Sequence, residues 1–156
     1  MRHPQLLVYE TDGRLAALLR DTARALKWAL REPRQTENCL RLLGSGGPSV
    51  LVLKVDGDLA RQQARLRETA DDPAAERNVR EVVQVFTLLE QAGAQFPDAR
   101  TVVVGAHDDP ALAELAWDLG ADFVLFPPFS WEHLPSIVTG LMELPAAEQP
   151  EVIAEE

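Results

Sequence analysis

Cysteine, lysine and long apolar runs are all scarce in this sequence of 156 residues. The single cysteine, Cys39, excludes an internal disulfide and supplies too few thiolates for a structural zinc site. No apolar run approaches the roughly 18 residues of a membrane-spanning helix, and the N-terminal residues do not resemble a signal peptide. These absences predict a soluble protein of a reducing compartment, with the cytoplasm as the expected location.

Positive charge is also limited, since the formal net charge is −10 and only two lysines occur, Lys27 and Lys54. A nucleic-acid phosphate backbone would be repelled by such a chain, so neither nucleic acid nor a membrane is an expected partner. Apolar residues make up 46% and charged residues 26% of the sequence, which is typical of a folded globular domain. The length fits one domain.

Short apolar runs without alternation mark four candidate strands, at residues 6–9, 50–53, 102–104 and 123–126. Such runs are typical of strands buried on both faces of a parallel sheet. Residues 27–31 alternate instead, which predicts a fifth strand at an edge of the sheet.

Helical patterns with capping residues separate these strands. The residues expected to cap or begin the helices are Thr11 or Asp12, Gln35, Asp72, Asp109 and Ser130. Pro135 predicts an irregular first turn in the last helix. The alternation indicates an α/β fold, a flavodoxin-like doubly wound five-stranded parallel sheet in the order 2-1-3-4-5.

Two stretches resemble the receiver domains of response regulators. Residues 48–54, Pro-Ser-Val-Leu-Val-Leu-Lys, are similar to the family's Pro-Asp-Leu-Val-Leu-Leu-Asp. Residues 120–129, Gly-Ala-Asp-Phe-Val-Leu-Phe-Pro-Pro-Phe, are similar to Gly-Ala-Asp-Asp-Tyr-Leu-Val-Lys-Pro-Phe. The resemblance implies a receiver-like domain over residues 1–144, and the Pro- and Glu-rich composition of residues 145–156 predicts a flexible acidic tail. The resemblance also implies an insert over about 57–72, which reads as an extra helix between the third and fourth strands.

The resemblance further implies where a phosphorylation site would lie. In the family, two acids after the first strand bind Mg²⁺, an aspartate accepts the phosphoryl group, and a hydroxyl residue and a lysine hold its oxygens. The corresponding positions here are Glu10, Thr11, Lys54, Gly105 and Pro127. Only Glu10 keeps the required chemistry, which predicts a degenerate receiver, or pseudo-receiver, without a catalytic residue.

Lys54 carries most of this prediction, because an ammonium cannot act as the carboxylate nucleophile and repels Mg²⁺. Two interpretations of Lys54 stay open: it pairs with Glu10 inside the crevice, or it reaches solvent from the strand end. Asp56 is a candidate substitute acceptor, although a solvated loop acid is the favoured interpretation. No cofactor or metal site is expected.

Other candidate chemistry is weak. The glycine cluster at 44–47 leads from a helix into a strand, the reverse of a phosphate-binding loop. His3, His107 and His133 lack metal-ligand spacing, and Cys39 is expected to pack in the core.

A broad apolar arc on the fourth helix suggests an interaction surface. In receivers the fourth helix, the fifth strand and the fifth helix form the usual partner or dimer surface, so an interface with another signalling protein or a second copy is expected there. The candidate residues are Leu112, Leu115, Trp117, Leu119, Phe126 and Trp131. The alternative for Trp117 and Trp131 is a place in the core.

The sequence therefore predicts a non-enzymatic, phosphorylation-independent module of bacterial-type two-component signal transduction that acts by protein–protein interaction. The rival hypothesis is a small-ligand sensor or an enzyme on the same sheet, using Glu10, Asp12, Lys54 and His107.

Overall fold

The computed structural model describes residues 4–45, 47–55 and 73–143, except for the side chains of 73–78. The predicted insert with its extra helix, the acidic tail, His3, Asp56 and Asp72 lie outside the described residues. Within these ranges, no helix has the length and apolar character needed to cross a bilayer.

Five parallel strands form one sheet in the order β2-β1-β3-β4-β5, as the sequence predicts. The strands are β1 (Gln5–Tyr9), β2 (Ala29–Arg31), β3 (Ser49–Val55), β4 (Arg100–Gly105) and β5 (Phe123–Leu125). All seven residues of β3 are buried, because β3 lies at the centre of the sheet and is covered on both faces. The fold is the predicted doubly wound, flavodoxin-like α/β sheet.

The helices are α1 (Arg14–Leu26), α2 (Thr36–Ser45), α3 (Pro73–Gln95), α4 (Pro110–Asp118) and α5 (Leu134–Glu143). Asp109 caps α4 as predicted, since its carboxylate accepts a hydrogen bond from the Leu112 amide. The hydroxyl of Ser130 caps a short 3₁₀ turn, Trp131–His133, that leads into α5. The predicted irregularity near Pro135 is therefore present as this turn.

Two apolar layers flank the sheet. Leu51 and Leu53 of β3 pack into the layer that includes residues of α2, α3 and α4, whereas Val50 and Val52 pack into the layer with α1 and α5. Because side chains alternate along a strand, Lys54 has the parity of Val50 and Val52 and belongs to the α1 and α5 side. This parity decides which groups the lysine can reach.

Candidate functional site

The predicted site positions gather at one end of the sheet. Glu10 and Thr11 follow β1, and Pro127 lies beyond the end of β5. Lys54 pairs in register with Val104, one residue before Gly105. Parallel strands bring their carboxyl ends to the same edge, so the residues form a crevice there, as the sequence predicts.

Lys54 is buried in this crevice, with only 4% of its surface exposed. Its Nζ donates a hydrogen bond of 2.8 Å to Oδ2 of Asp12 and lies 5.0 Å from the centroid of the Trp131 ring. The carboxylate and the ring face both favour a cation. Both predicted interpretations of Lys54 are corrected: the lysine does not extend to solvent, and its salt bridge is with Asp12 rather than Glu10.

The Glu10 carboxylate binds backbone amides of α1, which explains why Lys54 pairs with Asp12 instead. Its Oε1 accepts a hydrogen bond from the Leu15 amide and its Oε2 from the Ala16 amide, both at 2.9 Å. A carboxylate at this place neutralises the positive end of the helix dipole. The side chain of Glu10 therefore satisfies two amides at the start of α1. The N-cap residue is Gly13 rather than the predicted Thr11 or Asp12, while the Asp12 carboxylate accepts a hydrogen bond from the first amide of the helix, that of Arg14.

Gly13 makes this arrangement possible. It occupies the N-cap position of α1 with a φ of 78°, a left-handed conformation that glycine adopts without steric cost. The chain thereby turns sharply enough for Glu10 to reach the first amides of the helix.

Asp12 lies at the rim of the crevice, with 41% of its side chain exposed. The hydrogen bond from Lys54 holds the pKa of its carboxyl below the ordinary value of 3.8. Its Oδ1 also accepts a hydrogen bond of 3.2 Å from the Arg14 amide. Asp12 is thus fixed as a carboxylate beside the buried ammonium.

Gly105 is the position at which the sequence resemblance implies a hydroxyl residue, and the space for a side chain there is already filled. A Cβ added at Gly105 would overlap the ring of Phe126, a buried core residue. The indole Nε1 of Trp131 donates a hydrogen bond of 3.4 Å to the Gly105 carbonyl. Trp131 thus contacts both Lys54 and Gly105.

The remaining two positions, Pro127 and Thr11, carry neither an ammonium nor a carboxylate. Pro127 precedes Pro128 through a cis peptide bond and has no side-chain donor. Thr11 is exposed, and the Arg34 guanidinium donates to its carbonyl at 3.3 Å.

The described residues contain no cluster of histidine, cysteine and acidic side chains placed to hold a metal ion. A cavity of about 70 Å³ lies beside the crevice, lined by Tyr9, Glu10 and Lys54 among others. Typical small-molecule sites occupy several hundred Å³. In the part of the chain that the structure describes, the crevice thus has little room for an organic ligand.

The histidines and the cysteine behave as predicted where they are described. His107 and His133 are exposed. Cys39 is completely buried, and burial raises the pKa of its thiol to about 12. A thiol held neutral in this way packs as an apolar group.

The expected interaction residues divide into three groups. Leu112 and Phe126 are core residues, 1% and 6% exposed, so their assignment to a surface is wrong. Leu119 and Trp131 are half-buried, whereas Leu115 and Trp117 are exposed. The broad apolar arc of α4 thus serves the core on one side and remains uncovered on the other.

Sequence reasoning missed Phe129, the most exposed large apolar residue of the described chain at 68%. The available signal was an aromatic residue directly after Pro127 and Pro128, in a turn rather than in a helix or strand. It also missed the contact of Trp131 with Lys54, which no sequence spacing indicates, since the two residues meet only through the fold.

Comparisons with known proteins bear on the fold. Neither a protein-family model nor a curated protein sequence matches the chain. Solved structures do resemble it. A putative response regulator from Chloroflexus aurantiacus has a TM-score of 0.62 at 17% identity, with 92% of this chain and 100% of that chain covered.

Two further solved structures agree. A CheY-like receiver domain protein from Methanospirillum hungatei has a TM-score of 0.61 at 11% identity, covering 90% of this chain and 94% of that chain. The receiver domain of an HD domain-containing protein from Pseudomonas fluorescens has a TM-score of 0.63 at 17% identity, with 92% of this chain and 89% of that chain covered. The chain therefore has the receiver fold.

Proposed function

We propose that this protein is a pseudo-receiver, a non-catalytic module of two-component signalling that acts by binding another protein and does not depend on phosphorylation. The observation that carries the proposal is the buried ammonium of Lys54, bonded to Asp12 in the crevice. The signalling role is taken from the receiver fold, because the similar solved structures are receiver domains of response regulators.

Three features of the crevice support independence from phosphate. Lys54 places a positive charge where Mg²⁺ and a carboxylate nucleophile would be needed. Glu10 is engaged with the amides of α1 and is not directed to a metal. Phe126 fills the space of a hydroxyl side chain at Gly105. Phosphoryl transfer depends on charge compensation by such groups, and their positions hold other chemistry.

The rival hypothesis, a ligand sensor or enzyme that uses Glu10, Asp12, Lys54 and His107, has less support. Asp12 and Lys54 are bonded to each other, and Glu10 is bonded to the backbone of α1. His107 is exposed. Glu10, Asp12 and Lys54 are thus occupied by structural interactions, and His107 lies at the surface.

The direct test is incubation of the full chain with Mg²⁺ and a small phosphodonor such as acetyl phosphate, followed by intact-mass measurement. We expect no phosphate adduct. An Asp56→Asn variant is the matched control, because it removes the candidate substitute acceptor. A stoichiometric phosphate adduct on the natural chain that is absent from the Asp56→Asn variant would contradict the proposal.

A second experiment tests whether Lys54 alone prevents phosphorylation. In Lys54→Asp the predicted acceptor position carries a carboxylate, but Gly105 and Pro127 remain unchanged. We expect this variant to stay unphosphorylated as well, because the groups that would hold the phosphoryl oxygens are still missing. Efficient phosphorylation of Lys54→Asp would show that one residue alone controls the chemistry.

A further inference from the structure

A groove of about 220 Å³ lies between α4 and the turn after β5, next to the crevice, and its lining includes Phe126 and Pro127. Apolar side chains line most of it, including Val124 and Phe126. Two exposed aromatic residues also line it, Trp117 at 50% and Phe129 at 68% exposure. Exposed aromatic side chains beside a concave apolar surface are typical of binding sites for other proteins.

The charged side chains between residue 101 and the end of α5 are acidic, and one of them, Asp122, lies 3.9 Å from the Arg100 guanidinium. Residues 101–156 contain no lysine or arginine. The exposed acidic residues of α4, β5, α5 and their connections are Asp108, Glu114, Asp118, Asp122, Glu132 and Glu143. Asp108 lines the groove itself, and Glu114 precedes Trp117 by three residues, one helical turn away on the same side of α4. An incoming partner therefore meets aromatic rings bordered by carboxylates.

Asp109 adds an independent observation. It lines the same groove and is 95% buried, since only 5% of its surface is exposed. Its Oδ1 accepts the hydrogen bond that caps α4, whereas its Oδ2 has no hydrogen-bond partner among the described residues. A buried carboxylate oxygen without a donor is costly. A hydrogen bond donated to this oxygen would remove this cost.

We propose that the groove binds an arginine-containing basic segment of a partner protein. A guanidinium group stacks on aromatic faces and donates several hydrogen bonds in one plane, which suits Trp117 or Phe129 together with Asp108 or Asp109. The apolar lining would accommodate the neighbouring side chains of the segment. The inference rests on the proposed function, because it names the chemistry of the partner that the pseudo-receiver binds.

The same charges disfavour a second copy of this chain at the groove. In a twofold dimer, each subunit presents the same patch to the other. The carboxylates of Asp108, Glu114 and Asp118 would then face their equivalents with no lysine or arginine from either copy's residues 101–156 to compensate them. A basic partner gains from the charges that a homodimer must overcome.

Binding of a synthetic peptide to the full chain tests the proposal. The probe is a short fluorescent peptide of alternating arginine and leucine, compared with the same peptide carrying citrulline, which has a similar shape without the charge. Affinity is measured by fluorescence anisotropy at physiological ionic strength. We expect binding of the arginine peptide and at least about tenfold weaker binding of the citrulline peptide, a loss of about 1.4 kcal/mol.

Variants locate the binding site. The double variant Asp108→Asn/Glu114→Gln removes two charges beside the groove, and Asp21→Asn/Glu37→Gln removes two exposed charges from α1 and α2 as the matched control. We expect about tenfold weaker binding for the groove pair and about twofold or less for the control, because distant charges are screened. Trp117→Ala should also weaken binding, and since Trp117 is half-exposed, an unchanged melting temperature checks that the variant is folded.

Three results would overturn the inference. The first is an equal loss of affinity for the arginine peptide in the two double variants, and the second is no measurable binding of this peptide. The third is a dimer in sedimentation that the substitution Trp117→Ala dissociates. The first means that net charge alone attracts the peptide, and the third assigns the groove to a second copy. A phosphate adduct on the chain would refute the proposed function but leave these binding results unaffected, so the two failures can be told apart.

Discussion

The crevice at the strand ends and the groove beside α4 both contain aromatic and acidic side chains, but they differ in how far these side chains are covered by the protein. In the crevice, charged and aromatic side chains satisfy one another: Lys54 bonds to Asp12 and lies near Trp131. At the groove, Trp117 and Phe129 remain exposed. The comparison shows that this receiver fold has its usual chemical site filled from within and a different surface left uncovered. In our proposal, the surface that binds a partner is therefore distinct from the position of the phosphorylation site.

The largest expected effect comes from adding a side chain at Gly105. Gly105→Thr should destabilise the protein by about 3 kcal/mol, because the new atoms overlap the buried Phe126 ring and the core must distort to admit them. The free energy of unfolding in urea measures this. The matched control is Gly140→Ala in α5, where nothing lies within 4 Å of an added Cβ.

Gly140→Ala should instead stabilise the protein by up to about 1 kcal/mol, because alanine favours a helix over glycine. Equal stability of Gly105→Thr and the natural chain would show that Phe126 moves aside easily. The crevice would then be open to a hydroxyl side chain after all.

The next effect concerns the ion pair in the crevice. Asp12→Asn should cost about 2 kcal/mol, because it removes the carboxylate from a lysine that is almost fully buried. Lys54→Met should cost less than Asp12→Asn, since the remaining Asp12 carboxylate is 41% exposed and stays hydrated. Chemical denaturation of both variants gives the comparison. If Lys54→Met lowered the free energy of unfolding more than Asp12→Asn does, the cost could not come from leaving the buried Lys54 ammonium without the Asp12 carboxylate.

A smaller effect is expected from pH. The pKa of Asp12 in the folded protein lies below its ordinary value of 3.8, so its contribution to stability is complete above that pH. As the pH falls below this value, the carboxyl is protonated at its lowered pKa and the contribution is lost. Carboxyl NMR titration follows Asp12 directly. In Lys54→Met the pKa of Asp12 should rise, and a pKa unchanged by this substitution would contradict the role of the hydrogen bond.

The smallest effect on stability is expected at the groove. Phe129→Ser should change the free energy of unfolding by about 0.5 kcal/mol or less, because the side chain is 68% exposed. Phe126→Ala, three residues earlier and buried, should cost about 3 kcal/mol or more. Thermal denaturation compares the two aromatic residues. Similar losses for both would mean that the groove is part of the core rather than a surface.

The fold could be predicted from the sequence because its signals are local. The unbroken apolar run at 50–53 and the glycine stretch before it mark a buried central strand, and Asp109-Pro110 marks a helix start whichever tertiary structure surrounds it. The parallel order then follows from the alternation of strands and helices. The gathering of Glu10, Lys54 and Gly105 at one edge is a consequence of that order.

The partners of the individual side chains could not be predicted, because they depend on where each side chain points. Glu10 and Asp12 are both acids close to Lys54 in the fold, and only the turn at Gly13 directs Glu10 to the amides of α1 and leaves Asp12 for the lysine. Similarly, periodicity shows that α4 has more apolar residues than one stripe needs. It does not show that Leu112 is buried and Trp117 exposed.

The overlap between Phe126 and position 105 has an evolutionary meaning. A hydroxyl residue at Gly105 strains the core, and a smaller residue at Phe126 leaves a cavity, so each single step toward a phosphate-binding crevice lowers stability on its own. The favourable route requires both substitutions together. Steric packing therefore couples the two positions, so that position 105 can gain a side chain without loss of stability only when position 126 changes with it.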